Sequence, residues 1–122
     1  MSDAAAFVKA VVARFEALGP VLAEHVSDHG GEILPHVFFG DLTRYVLSLV
    51  AAMKAGGLEP GRQLRALLDF LEESFTTGGE PLQELISVSF LENLPCPGEQ
   101  SSHVRSMLGP ALSDELRRIE RV

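Results

Sequence analysis

The densest set of chemistry-bearing residues is EHVSDHGGEILPH, residues 24–36, where His25 and His29 stand at i, i+4 with Glu24, Asp28, Glu32 and His36 close by. Two histidines one helical turn apart can bind one metal ion when a third ligand comes from elsewhere. The zinc-hydrolase spacing HExxH is absent, because Val26 follows His25. A histidine pair on a thin surface helix is more often merely solvated, so no metal site is expected, with His25 and His29 the residues that would carry one. His36, Asp41 and Arg44 form a second constellation in PHVFFGDLTR. Asp41 and Arg44 are an i, i+3 pair, and His36 could reach either if Gly40 bends the chain. An aspartate orienting a histidine base is the catalytic reading. The structural one, an N-cap aspartate beside a half-buried histidine, is favoured.

Glu92 and Asn93 make a third polar pair, either a contact patch or a helix end bonding to itself. Serine catalysis needs a serine, a base and an orienting acid, and Ser87 and Ser89 lie mid-helix without the strained turn that exposes such a nucleophile. Cys96, the single cysteine, cannot form an internal disulfide and lies in a Pro-Cys-Pro turn with no basic neighbour to activate it. P-loop, GxGxxG and CxxC motifs are all missing, so no cofactor is expected.

The elements that would position these residues are helices. Phe7, Val8, Val11, Val12, Phe15 and Leu18 form one stripe, capped by Asp3 and ended by Gly19-Pro20. A short helix follows from Val21 to about Asp28, closed by His29-Gly30-Gly31. Pro35 opens a longer one up to Lys54, with Gly40-Asp41 a possible break and Asp41 a new N-cap. The next follows Pro60 and ends at Thr76-Thr77-Gly78-Gly79, a short one is expected near Ser102 to Leu108, and Gly109-Pro110 leads into the last. Asp114 and Glu115 early in that helix and Arg117, Arg118 and Arg121 late match its dipole.

LISVSFLENLP, residues 85–95, carries two periods: Ile86, Val88 and Phe90 alternate as in a strand, while Leu82, Leu85, Ile86 and Phe90 recur as in a helix. No other segment offers a partner strand, and the stretch between Pro81 and Pro95 is long for a strand. It therefore reads as a central helix, Pro81 to Leu94, buried on most sides, in which Ser87 and Ser89 allow close approach and bond back to carbonyls four residues earlier. The fold class is all-α: a single domain, residues 1–122, built as a bundle or short helical-hairpin stack of about six helices.

A net charge of -7 argues against a binder of nucleic-acid phosphates. No apolar run approaches the roughly 18 residues of a membrane span, and the N-terminus does not read as a secretory signal, so a cytoplasmic protein is expected. No Lys or Arg falls between Arg65 and Arg105, where Asp69, Glu72, Glu73, Glu80, Glu84, Glu92 and Glu99 all lie. A second base-free run from Arg14 to Arg44 holds Glu16, Glu24, Asp28, Glu32 and Asp41. Acids sharing a face would steer a basic partner.

In GGEILPHVFFGDLTR and GGEPLQELISVSFLENLP the chain resembles a family of short, uncharacterised bacterial all-helical proteins, with a Leu-Pro-His segment followed by Gly-Asp and a segment ending Ser-Phe-Leu-Glu-Asn-Leu. His36, Gly40, Asp41, Ser89, Phe90, Glu92 and Asn93 match that pattern. The resemblance implies an immunity-like or accessory role. Together these features predict a non-enzymatic domain binding a protein partner, a basic one, through an acidic surface, with His36, Asp41, Arg44, Glu92 and Asn93 as the candidate contact residues. The alternative is a small metal-binding or hydrolytic domain centred on His25, His29, His36 and Asp41.

Overall fold

The computed structural model describes residues 3–120, and among them every regular element is helical. Seven α-helices follow in order: α1 Asp3–Arg14, α2 Gly19–Asp28, α3 Pro35–Lys54, α4 Leu58–Thr77, α5 Glu80–Ser89, α6 Val104–Met107 and α7 Pro110–Glu120. Short 3-10 turns at Glu16–Leu18 and Leu91–Asn93 join α1 to α2 and follow α5. No helix among the described residues is long and apolar enough to cross a membrane. The Asp3 side chain expected to cap α1, and Arg121 at the far end of α7, lie outside the described residues.

The frame is the α3–α4 hairpin, two 20-residue helices joined by Ala55-Gly56-Gly57. Each is about 30 Å long at 1.5 Å per residue. Helices α3 and α4 pack together, and Phe38, Phe39, Leu42, Val46 and Val50 of α3 share one core with Leu64, Leu68 and Leu71 of α4, all fully buried. Helix α5 packs against α1, α3 and α4, which makes it the central helix expected. A chain of aromatic contacts ties α1 to the frame: Phe15 stands edge-on to Phe70, Phe70 stacks on Phe7, and Phe7 on Phe39, with centroids 5.6 to 5.9 Å apart. Each such pair adds about 0.5–1.5 kcal/mol beyond its burial.

The helix boundaries differ from the expected ones at four places. The first break falls at Phe15, whose extended backbone (φ -126°, ψ 95°) lets its ring reach Phe70, while Gly19-Pro20 starts α2. A proline without an N–H belongs in a first turn, where that N–H has no partner to lose. Helix α3 runs through Gly40-Asp41 unbroken, so Asp41 is not an N-cap; its carboxylate is held by Arg44 instead. Helix α4 begins at Leu58, with Pro60 inside its first turn. Finally, the helix expected over 81–94 ends at Ser89, and Val88 is 43 % exposed, so α5 is open to solvent on one side.

Helix α7 is attached by a carboxylate from another helix. The N–H groups of Ala111 and Leu112 donate to Glu72 Oε2 and Oε1 at 2.8 and 3.0 Å. These are first-turn amides with no partner inside α7, and a negative charge at that end also suits the helix dipole. Gly109 permits the approach, since a Cβ there would stand 2.5 Å from Glu72 Cδ. Replacing Glu72 with Ala is expected to destabilise the fold by about 1–2 kcal/mol, the loss of a charged N-cap. Gly109→Ala is expected to destabilise through the same contact, and the double variant to cost less than the sum of the two. Urea unfolding midpoints of the three variants check this; additive costs would show that Glu72 and Gly109 act separately.

Candidate functional site

The α2–α3 connection gathers the first set of candidate residues. After α2 the chain turns back through Gly30 (φ 65°) and Gly31 (φ 89°), a left-handed path that glycine takes without strain. Gly31 N–H donates to Val26 O at 2.9 Å, and the turn delivers Leu34 to His25. His25 is 2 % exposed, and its Nε2 accepts the Leu34 N–H at 2.9 Å, just where α3 begins. An Nε2 that accepts leaves the proton of a neutral ring on Nδ1. That Nδ1 has no hydrogen-bond partner; Asp41 Oδ2 stands 3.6 Å away, beyond bonding distance. His29 donates from Nδ1 to the His25 carbonyl at 2.7 Å and lies beside the His25 ring, centroids 4.4 Å apart. Phe38 closes the other side edge-on at 5.8 Å.

This arrangement is at odds with the metal reading. The lone pair of His25 is spent on a backbone amide, and among the described residues no three His, Cys, Asp or Glu side chains are placed to hold one ion. Glu24, Asp28, Asp41 and Arg44 line a shallow cleft of about 330 Å3 above His25. Tyr45 borders it too, but its hydroxyl donates to Gln63 at 2.9 Å, and burial pushes its pKa up.

His36 goes elsewhere. In an unbroken helix, residues five apart point about 140° away from each other, so His36 and Asp41 do not share a face of α3. His36 Nδ1 instead hydrogen-bonds Ser89 Oγ on α5. The Ser89 carbonyl accepts from Thr43 Oγ1 at 3.3 Å and from Asn93 Nδ2 at 2.9 Å. The two sequence segments that carry the family resemblance thus meet in one polar junction between α3 and the end of α5. His36 Nε2 has no partner among the described residues and Ser89 is 5 % exposed, so no acid orients the imidazole and the hydroxyl is enclosed. Ser89 does not bond back to a carbonyl four residues earlier; at this junction Thr43 makes such a bond, to Phe39 O at 2.7 Å.

A further concave surface was not anticipated from the sequence. A groove of about 890 Å3 runs between α5 with its following turn and α7. Its apolar floor includes Phe75, Val88, Leu91, Leu116 and Ile119; Glu80, Glu84, Glu92, Glu115 and Glu120 rim it. Among the described lining residues the one cation is Arg118, and it is bound to Glu115. Of the expected contact residues Glu92 lies in this groove, whereas Asn93 turns to its own helix end, and Asp41 and Arg44 pair with each other at the α2–α3 cleft. Reading 81–94 as apolar on most sides hid the signal, which is Glu80, Glu84 and Val88 at i, i+4, i+8 on one face.

Glu115 is the most constrained acid of the rim. Ser87 Oγ donates to its Oε2 at 2.8 Å, and Arg118 Nε to its Oε1 at 2.8 Å. The hydrogen bond from Arg118 holds the carboxyl below the usual glutamate range; burial opposes that shift, and the Ser87 hydroxyl adds to it. A carboxyl lowered in the fold stabilises it above the unfolded value of about 4.3 and loses that contribution as pH falls through the folded value. Glu115→Gln is therefore expected to be less stable than the parent chain at neutral pH, with the difference shrinking as the pH falls below the ordinary glutamate range and through the lowered folded value; denaturant titrations at neutral and at falling acid pH measure it. At the other site, His25→Ala is expected to cost about 2–3 kcal/mol from lost packing and an orphaned Leu34 amide, and His29→Ala under 1 kcal/mol. Urea unfolding compares them, and nitrogen-15 NMR should find His25 protonated on Nδ1.

No curated protein and no solved structure matches the chain. Residues 8–121 match the family described as Domain of unknown function (DUF7674), and the chain belongs to that family.

Proposed function

We propose that the chain is a protein-interaction domain whose α5–α7 groove takes a basic, amphipathic segment of a partner protein. The carrying observation is the groove itself: five glutamates around an apolar floor, with one arginine among the described lining residues. An apolar floor with polar edges is the usual anatomy of a peptide-binding groove. Charge of one sign around it selects partners of the other sign and speeds their approach. Glu80, Glu84 and Glu92 are exposed and in no ion pair among the described residues, so they remain available to a cationic partner. Val88, 43 % exposed between them, supplies apolar area that binding would cover. An immunity-like role fits this chemistry, since enzymes that act on nucleic acid present the basic surfaces such a groove would cover.

The test uses a fluorescent helical peptide with leucines at i, i+4 flanked by lysines and arginines, against the same peptide with glutamates in the basic positions. The basic peptide alone is expected to bind, and to weaken as salt rises from about 0.05 to about 0.3 M. Glu80→Gln, Glu84→Gln and Glu92→Gln combined should weaken it at least about tenfold, if each rim charge is worth about 0.5–1 kcal/mol. Equal binding of the two peptides, or an unchanged affinity in the triple variant, would refute the reading.

A further inference from the structure

Within the groove, Glu115 differs from the other acids in holding a guanidinium with both of its oxygens, whereas Glu120 meets Arg105 through one. Its side chain is 13 % exposed, and one oxygen is fixed from behind by the hydroxyl of Ser87, a residue 6 % exposed. Arg118 covers the open side with two nitrogens, Nε to Oε1 at 2.8 Å and Nη2 to Oε2. That is the planar, two-pronged pairing that arginine makes with a carboxylate and lysine cannot. Arg118 itself is 67 % exposed and one turn away on the same helix, so it can leave by side-chain rotation alone.

We infer that Glu115 is an arginine-recognition site that the chain fills with its own Arg118, and that the partner segment docks by placing an arginine where Arg118 stands. This rests on the groove reading and specifies what the groove selects. The neighbouring cations are committed elsewhere: Arg117 to Asp114, and Arg105 to Glu120 and to the Pro95 carbonyl. Displacing Arg118 leaves the Ser87 bond intact, so the carboxylate stays oriented for the incoming guanidinium. The internal arginine also sets a threshold: a lysine-rich segment, unable to reproduce the paired hydrogen bonds, does not displace it.

The experiment compares two helical peptides, identical except that all basic positions are arginine in one and lysine in the other, binding to the full chain and to Arg118→Ala and Glu115→Gln. The parent is expected to favour the arginine peptide about fivefold to tenfold, and Arg118→Ala to bind it several-fold tighter. Glu115→Gln should bring the ratio near one while keeping salt-dependent binding to the remaining acids. Equal affinity for the two peptides in both the parent and Arg118→Ala would overturn the arginine site and leave the acidic groove standing. A second measurement is independent of peptide docking: N-acetyl-arginine amide titrated into Arg118→Ala should shift the Glu115 carboxyl carbon in an NMR spectrum, and N-acetyl-lysine amide should shift it far less. No difference between the two amides overturns the inference whatever the peptides do. Arg118 is mostly solvent-facing, so a single cooperative thermal transition, lowered only by the loss of the Glu115 pair, shows that the variant is folded.

Discussion

The carboxylate of Glu72, reaching from α4 to the first-turn amides of α7, is the constraint on which the concave surface depends. Those amides would otherwise be unpartnered at the foot of a helix whose Leu112 is fully buried. The link is charged, takes up both carboxylate oxygens, and is possible only because Gly109 has no side chain to fend it off. A second clamp, Ser87 to Glu115, holds the middle of α7 against α5. With both in place α7 stands beside α5 and its following turn at a fixed distance, and the space left between them is the groove. Sequence neighbours play no part in either clamp, since the partners are 39, 40 and 28 residues apart.

The acids of the base-free stretch from Arg65 to Arg105 separate into different uses. Glu72 is internal structure. Asp69 pairs with Arg65 one turn earlier, and Glu99 accepts the Cys96 amide at 2.7 Å to close its own loop. Glu80, Glu84 and Glu92 face the groove. Such pairing leaves the net charge of -7 unchanged, and that total does not show its concentration: Glu80, Glu84 and Glu92, in no ion pair among the described residues, lie together beside exposed Val88. A uniformly acidic surface would promote solubility and select no partner; charge gathered around an apolar floor selects one.

The fold was legible in the sequence because its signals are local. Apolar residues at three-and-four spacing, with glycines and prolines between, mark α1 to α5 and α7 to within a few residues. What was not legible is what depends on contacts across the chain. Phe15 looks like one more member of the α1 stripe, yet it leaves the helix because Phe70 lies within reach. Asp41 has the type and position of an N-cap, but Arg44 gives its carboxylate another partner without breaking α3. His25 and His36 exchange their expected roles: the one expected at the surface is buried as a backbone acceptor, while the one expected beside Asp41 bonds across to Ser89. A histidine offers the same two nitrogens in either setting, and only the tertiary neighbours decide which are used.

At the end of α5 the helical period in LISVSFLENLP holds and the strand alternation does not, since Ile86 and Phe90 are buried while Val88 between them is exposed and Ser87 and Ser89 are enclosed. An α-helix continuing past Ser89 would carry successive residues three apart some 60° round the axis at each step, turning Leu94 about 120° away from the Val88 face. The chain instead passes Phe90 and tightens into a 3-10 turn in which Leu94 N–H bonds the Leu91 carbonyl at 3.2 Å. Residues three apart eclipse in such a turn, so Leu94 follows Leu91 onto the same wall. Both line the groove with Val88, and Glu92 joins the rim between them. What makes the tightening affordable is the Ser89 carbonyl, which would lack a helical partner at the break but is taken by Thr43 and Asn93. The polar junction formed by the two resemblance segments therefore terminates α5 at the residue that brings Leu91, Glu92 and Leu94 to the groove.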